Sequence, residues 1–200
     1  MNRKIVAVGA IAIALLVGGS VLGGGHTVDE PVVKRSGAAD SPLAFSATIL
    51  DERATDGDPA VLELSATNTG DEPVVLHSGP LPPFGVVYAS PTLWDPWQLA
   101  AMGERVASGQ FYGGDYPLWR DAYAASDEID VSGWGLETAD VGYRTRIGVG
   151  ETVSETFEIG ERGLASGTYT IDREQPYGFV GGPNNAGAVS YRITVDVSRE

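Results

Sequence analysis

Tyr191-Arg192-Ile193-Thr194-Val195-Asp196-Val197 alternates apolar and polar residues without interruption. In an extended chain successive side chains point to opposite faces. Tyr191, Ile193, Val195 and Val197 therefore share one face, and Arg192, Thr194 and Asp196 the other. A strand with one dry face and one wet face belongs to an antiparallel sheet covered on one side. Strands of parallel sheets are buried on both faces and read as continuous apolar runs.

The same period recurs upstream. Leu43, Phe45, Ala47 and Ile49 share a face. Leu62, Leu64 and Ala66 do so against Val61, Glu63, Ser65 and Thr67. Pro73–His77 and Gly85–Ala89 are short extended runs, and Tyr143, Thr145, Ile147 and Val149 alternate with Arg144, Arg146 and Gly148. Val153, Phe157 and Ile159 face one way, with Glu155 interrupting the apolar set, and Tyr169 and Ile171 open a further strand after Gly167. Polar or Gly/Pro-rich turns separate these runs at Asp51–Pro59, at Asn68-Thr69-Gly70-Asp71-Glu72 and at Ser78–Pro83. Many short period-2 strands with frequent turns predict an all-β chain folded as an antiparallel β-sandwich.

The stretch from about 90 to 135 fits this pattern less well and holds Trp94, Trp97, Trp119 and Trp134. Asp95-Pro96 reads as an N-cap followed by proline at the first helical position, giving a short helix over 96–102 that Gly103 ends. Leu118–Tyr123 reads as a strand or a helical turn, and Ile129–Trp134 as a strand. Long connections of this kind often carry function. Trp97, Tyr112, Tyr116, Trp119 and Tyr123 are the candidate binding residues, an aromatic platform for a glycan or a peptide. The competing expectation is that these rings cap the sandwich edge and fill its core, as tryptophans of exported β domains commonly do.

At the other end of the chain, Ile5–Leu22 carries no charge and follows Arg3 and Lys4. That is long enough for a membrane span, and the basic pair keeps the N-terminus cytoplasmic. Residues 1–25 are expected to be an uncleaved anchor helix or a signal peptide. The run exceeds the usual apolar core of a signal, which favours the anchor, although small residues at Gly23-Gly24-Gly25 would suit a cut. Residues 26–42, with Pro31, Ser36 and Gly37 among mixed charges, are expected to be a flexible linker, and 43–200 the folded domain.

Asp plus Glu total 27 against 13 Lys plus Arg, a charge of −14. Leaving out Arg3 and Lys4 sets 27 acids against 11 bases, or −16, on the exported part. A nucleic-acid partner needs a basic footprint, and an anionic membrane surface would repel such a domain. Lysine is confined to Lys4 and Lys34. Acid excess with few lysines is the expected balance for a protein bathed in concentrated salt, where a Debye length of about 3 Å screens carboxylate repulsion. There is no cysteine, so thiol catalysis, thiolate metal sites and disulfides are excluded, and the fold depends on its core.

Turn and corner residues also carry a family resemblance. Leu62–Thr67 with Asn68-Thr69-Gly70-Asp71 and the return run Glu72-Pro73-Val74 forms a strand, turn and strand. Gly148-Val149-Gly150-Glu151-Thr152-Val153 opens a late strand, and Leu164-Ala165-Ser166-Gly167-Thr168-Tyr169 leads into another with a tyrosine at its corner. This set resembles the Ig-like β-sandwich of the intracellular proteinase inhibitor family, and more closely haloarchaeal secreted or anchored domains of that general type. The resemblance spans roughly 43–197 and implies an Ig-like sandwich, with proteinase inhibition as one activity. Gly148 stands where that family often has proline, and the leader departs from an intracellular location. No reactive-site residue follows from these motifs. Gly79–Gly85, stiffened by Pro80, Pro82 and Pro83, is the loop such an inhibitor would present.

Few residues invite catalysis. His77 is the one histidine within the domain, at a strand end where a surface role is expected. No GxSxG elbow, HExxH motif or phosphate loop occurs, and the many carboxylates single out no glycosidase pair. Asp56-Gly57-Asp58 and Asp127-Glu128 with Asp130 offer hard oxygen ligands, but neither has a calcium-loop spacing, and solvated turn acids are the expected reading. Neither metal nor cofactor is expected. The sequence thus describes a non-enzymatic, outward-facing module that engages a protein or glycan partner. Proteinase inhibition and carbohydrate binding are alternatives, and an acidic hydrolase is a more distant one.

Overall fold

Alternating side chains become strands when one face finds a core. A computed structural model describes residues 25–36, 41–55, 57–91, 116–132, 135–160, 167–182 and 186–199. In chain order its strands are β1 (His26–Val28), β2 (Val32–Ser36), β3 (Leu43–Asp51), β4 (Arg53–Ala54), β5 (Ala60–Asn68), β6 (Val74–Ser78) and β7 (Tyr88–Pro91). After β8 (Tyr116–Pro117) comes α1 (Asp121–Ala124), a single helical turn. Then follow β9 (Ile129–Ser132), β10 (Gly135–Thr138), β11 (Tyr143–Ile147), β12 (Thr152–Ile159), β13 (Gly167–Phe179) and β14 (Gly187–Arg199).

The larger sheet runs β11-β6-β13-β14-β1-β4, with β2 also on β14, and β7 on β13 carrying β8. The smaller runs β12-β5-β3, and β9 and β10 form a separate two-stranded hairpin. Every strand pair is antiparallel. The chain is all-β in the sense its alternation requires.

One core draws on both main sheets. Leu62, Leu64 and Phe157 of the smaller sheet join Leu76, Ile171, Ile193 and Val195 of the larger in a single buried cluster. The opening motif lies along β14, with Tyr191, Ile193, Val195 and Val197 all at most 5% exposed. Phe45 of β3 stacks on Tyr191 at 4.3 Å between ring centres, which locks one sheet to the other.

Two expectations change. Residues 26–42 are not simply a linker, because β1 and β2 lie within them. β2 pairs with β14 from Ser190↔Ser36 to Thr194↔Val32, and β1 continues along it from Val197↔Val28 to Arg199↔His26. The physical cause is the free edge of β14, whose N–H and C=O groups need partners. Val28 is buried and Val33 packs against the core, while Pro31, which has no N–H to give, falls at the break between the two strands. The Asp51–Pro59 turn likewise contains β4, which pairs with β1, and a tight Thr55–Asp58 closure. Leu118–Tyr123 resolves into a bridge followed by α1, and Ile129–Ser132 is a strand as its pattern requires.

The expected helix over 96–102 and the apolar Ile5–Leu22 segment lie outside the described residues. Among the described residues no helix is long and apolar enough to cross a membrane.

The Asn68 turn is built around one side chain. Asn68 is fully buried, and its Nδ2 donates to the carbonyls of Glu72 (2.8 Å) and Ile147 (3.2 Å). Its Oδ1 accepts from the Gly70 amide at 3.0 Å. An asparagine here thus ties the β5–β6 turn to the end of β11. The following corner turns at Gly150, whose φ of 71° suits glycine.

Candidate binding region at the seam between the sheets

The segment 116–120 joins the two sheets along one side. β8 pairs with β7, and the Leu118 amide donates to the Val87 carbonyl at 2.9 Å. One residue on, Trp119 exchanges backbone hydrogen bonds of 2.9 and 2.8 Å with Glu158 of β12. Leu118 is buried between these contacts, and α1 then turns the chain back.

This geometry places the aromatic candidates. Trp119 and Tyr123 meet edge to face, 5.7 Å between ring centres and 82° apart. Trp119 is half-buried, while Tyr123 is fully buried in a small satellite cluster with Val86 and Ile129. Burial pushes the Tyr123 phenol up to about 12, against the pull of Arg120. The backbone of Tyr116 lies in β8. Trp97 and Tyr112, like the side chain of Tyr116, lie outside the described residues.

Polar side chains beneath the aromatics hold the region together. Arg120, 8% exposed at its side chain, forms an ion pair with Glu155 and donates to the Leu81 carbonyl at 3.2 Å. Its guanidinium also lies 5.5 Å from the Phe157 ring centre and 6.0 Å from that of Tyr123. Arg173 of β13 donates to the carbonyls of Val86 (2.7 Å) and Phe84 (3.4 Å). Gln175, buried on the same strand face, donates to the His77 carbonyl.

These three side chains clasp the connection from His77 to Val87 by its carbonyls. The loop Gly79–Gly85 therefore lies against the domain, with Pro80, Pro83 and Phe84 buried and Pro82 exposed. The Gln175 Oε1 and the Tyr191 hydroxyl are buried and have no hydrogen-bond partner among the described residues, and burial raises the Tyr191 phenol to about 12.

Sequence reading did not single out Arg120, Arg173 or Gln175. The signal was present as interrupted patterns. Glu155 breaks the apolar face of β12 because it meets Arg120, and Tyr169, Ile171, Arg173 and Gln175 turn from apolar to polar along one face of β13. His77 is half-exposed at the end of β6, and burial followed by the nearby Arg144 lowers its imidazole below 6.5. Among the described residues no three His, Asp or Glu side chains converge as metal ligands, Asp127, Glu128 and Asp130 included. Asp56 lies outside the described residues.

Fold and seam together define an all-β protein in which two antiparallel sheets share a core and arginines clasp a long connection. Residues 1–200 match the family model described as a domain of unknown function (DUF8130), and the chain belongs to that family. No curated protein and no solved structure matches it.

Proposed function

We propose that the chain is a non-enzymatic, extracytoplasmic Ig-like β-sandwich module that binds a partner at or beyond the cell surface. Support for the sandwich comes from two sheets contributing to one core and from the start of β13, where Tyr169, two residues after Gly167, is buried in that core. Support for the location comes from the uncharged Ile5–Leu22 run behind Arg3 and Lys4, acting as an anchor or a signal. The acid excess suits an environment of concentrated salt, in keeping with the resemblance to haloarchaeal surface domains.

The observation that carries the binding role is the rigid Trp119–Tyr123 pair at the seam. Trp119 is held by backbone bonds on one side and by a buried ring on the other, yet stays half-exposed. A preorganised aromatic loses little freedom on meeting a protein or glycan partner. Proteinase inhibition is less well supported, because carbonyl contacts draw Gly79–Gly85 onto the domain.

Two measurements test the reading. Protease added to intact cells should digest the domain, and the intact mass should show whether residues up to about 25 are removed. The purified domain should bind cell-surface material, and Trp119→Ala should reduce that binding while the fold survives. A domain shielded inside intact cells, or binding that ignores Trp119, would overturn it.

A further inference from the structure

The outer face of the larger sheet near β11 differs in charge from the rest of the chain. Arg144 and Arg146 are both exposed on that face of β11. Their cross-strand neighbours on β6 are His77 and Val75, and Val75 in turn pairs with Gly178 of β13. Pro176, two residues before Gly178, shares the face and pairs with Ala188. None of these positions is a carboxylate, in a chain of 27 acids, and Glu174 is the next residue of β13 on this face. Neither arginine has an ion-pair partner among the described residues.

β11 is also an edge. It pairs with β6 on one side, and among the described residues no backbone group pairs with it on the other. Half of its N–H and C=O groups therefore point outward, the arrangement that accepts an added strand. A second copy of β11 fits poorly. Antiparallel self-pairing about Thr145 sets Arg144 opposite Arg146, and like charges directly opposite destabilise a pair.

We infer that the β11 edge is a docking site for an extended acidic peptide segment of a partner protein, one with carboxylates at alternate positions. Such a segment adds as a strand, and its backbone supplies the attraction. Its same-face carboxylates meet Arg144 and Arg146, which select the partner and its register. The inference rests on reading the chain as a binding module and names the partner's chemistry.

The test uses the full chain and a fluorescent ten-residue peptide with glutamate at every second position. One control peptide has the same composition with its glutamates adjacent, and another carries lysine in their place. Fluorescence anisotropy at one fixed salt concentration should show binding of the alternating acidic peptide, with both controls at least about tenfold weaker. Arg144→Glu with Arg146→Glu should lose that binding and turn the preference toward the lysine peptide. Arg144→Gln with Arg146→Gln, which disturbs the strand less, should weaken it in the same direction. Absence of binding, equal binding of the two acidic isomers, or binding that survives charge reversal would each overturn the inference. Cell-surface exposure and the Trp119 measurement are untouched by those outcomes, so failure here is separable from failure of the module reading.

Discussion

Arg120 and Glu155 form an ion pair at the seam where the long connection meets β12, with side-chain exposures of 8% and 27%. The two differ in what they lose when the other is removed. Glu155 keeps water contact, whereas Arg120 is held between the Phe157 and Tyr123 rings.

Glu155→Ala should therefore be the costly single change, since it leaves a buried guanidinium without its counter-charge. The expected loss is about 2 kcal/mol, below the usual range for a fully buried pair because Glu155 is partly solvated. Arg120→Met combined with Glu155→Val replaces the pair by apolar volume and should come back to within about 1 kcal/mol of the parent. Denaturant unfolding of the two singles and the double checks this, and a double variant as weak as Glu155→Ala would refute it.

Asn68→Ala removes three hydrogen bonds at one stroke and strands the carbonyls of Glu72 and Ile147 with the Gly70 amide. The position is fully buried, so water cannot simply replace the side chain. A loss of about 2–3 kcal/mol is expected. Asn68→Asp keeps the acceptor toward Gly70 but faces two carbonyls with a carboxylate, and should be at least as harmful near neutral pH. Unfolding free energies of both variants decide the matter.

How much of this was legible in the sequence follows from what each residue answers to. Tyr191, Ile193, Val195 and Val197 face a core, so their period alone placed β14. The same logic marked Leu62, Leu64 and Ala66 of β5. β1 and β2 were hidden because their pairing is set by the free edge of β14, over 150 residues away in the chain, while Lys34 and Arg35 gave the segment the look of a linker. At the seam, Trp119 and Tyr123 were legible as aromatics, but their contact depends on α1, the single turn that carries Tyr123 just after Trp119. Glu155 was visible as an anomaly, and its explanation, Arg120, lies on another element. Periodicity reports a residue's own face and is silent about which distant side chain meets it.

His77 and Glu158 should move stability with pH in opposite senses. His77 titrates below 6.5 in the folded chain, chiefly through burial and then through Arg144. Just below 6.5 the unfolded chain binds more protons, so stability falls as the solution is acidified through that interval. Glu158 titrates above 4.5 in the folded chain, through burial and then Asp121. There the folded chain holds the proton longer, so stability falls as pH rises through the interval. Glu158→Gln should accordingly raise the melting temperature at neutral pH and lose that advantage as the pH falls below 4.5, where the carboxyl is protonated in the unfolded chain as well as the folded one. His77→Gln should flatten the decline just below 6.5. Melting curves across pH for both variants test the two signs separately.

The charge of −14 makes salt the last control on stability. Asp130, Glu137, Asp140 and Glu174 are all exposed, and none has a salt bridge among the described residues. At low ionic strength such carboxylates repel one another over about 10 Å or more, and at molar salt the range shrinks to about 3 Å. Repulsion of this kind weakens the compact state more than the expanded one. The melting temperature should rise from dilute buffer to molar sodium chloride. Screening is separable from the general strengthening of apolar burial by salt. Replacing those four residues by Asn or Gln should raise the melting temperature most in dilute buffer and least in molar salt. An equal shift at every salt concentration would show that the carboxylates are not the cause.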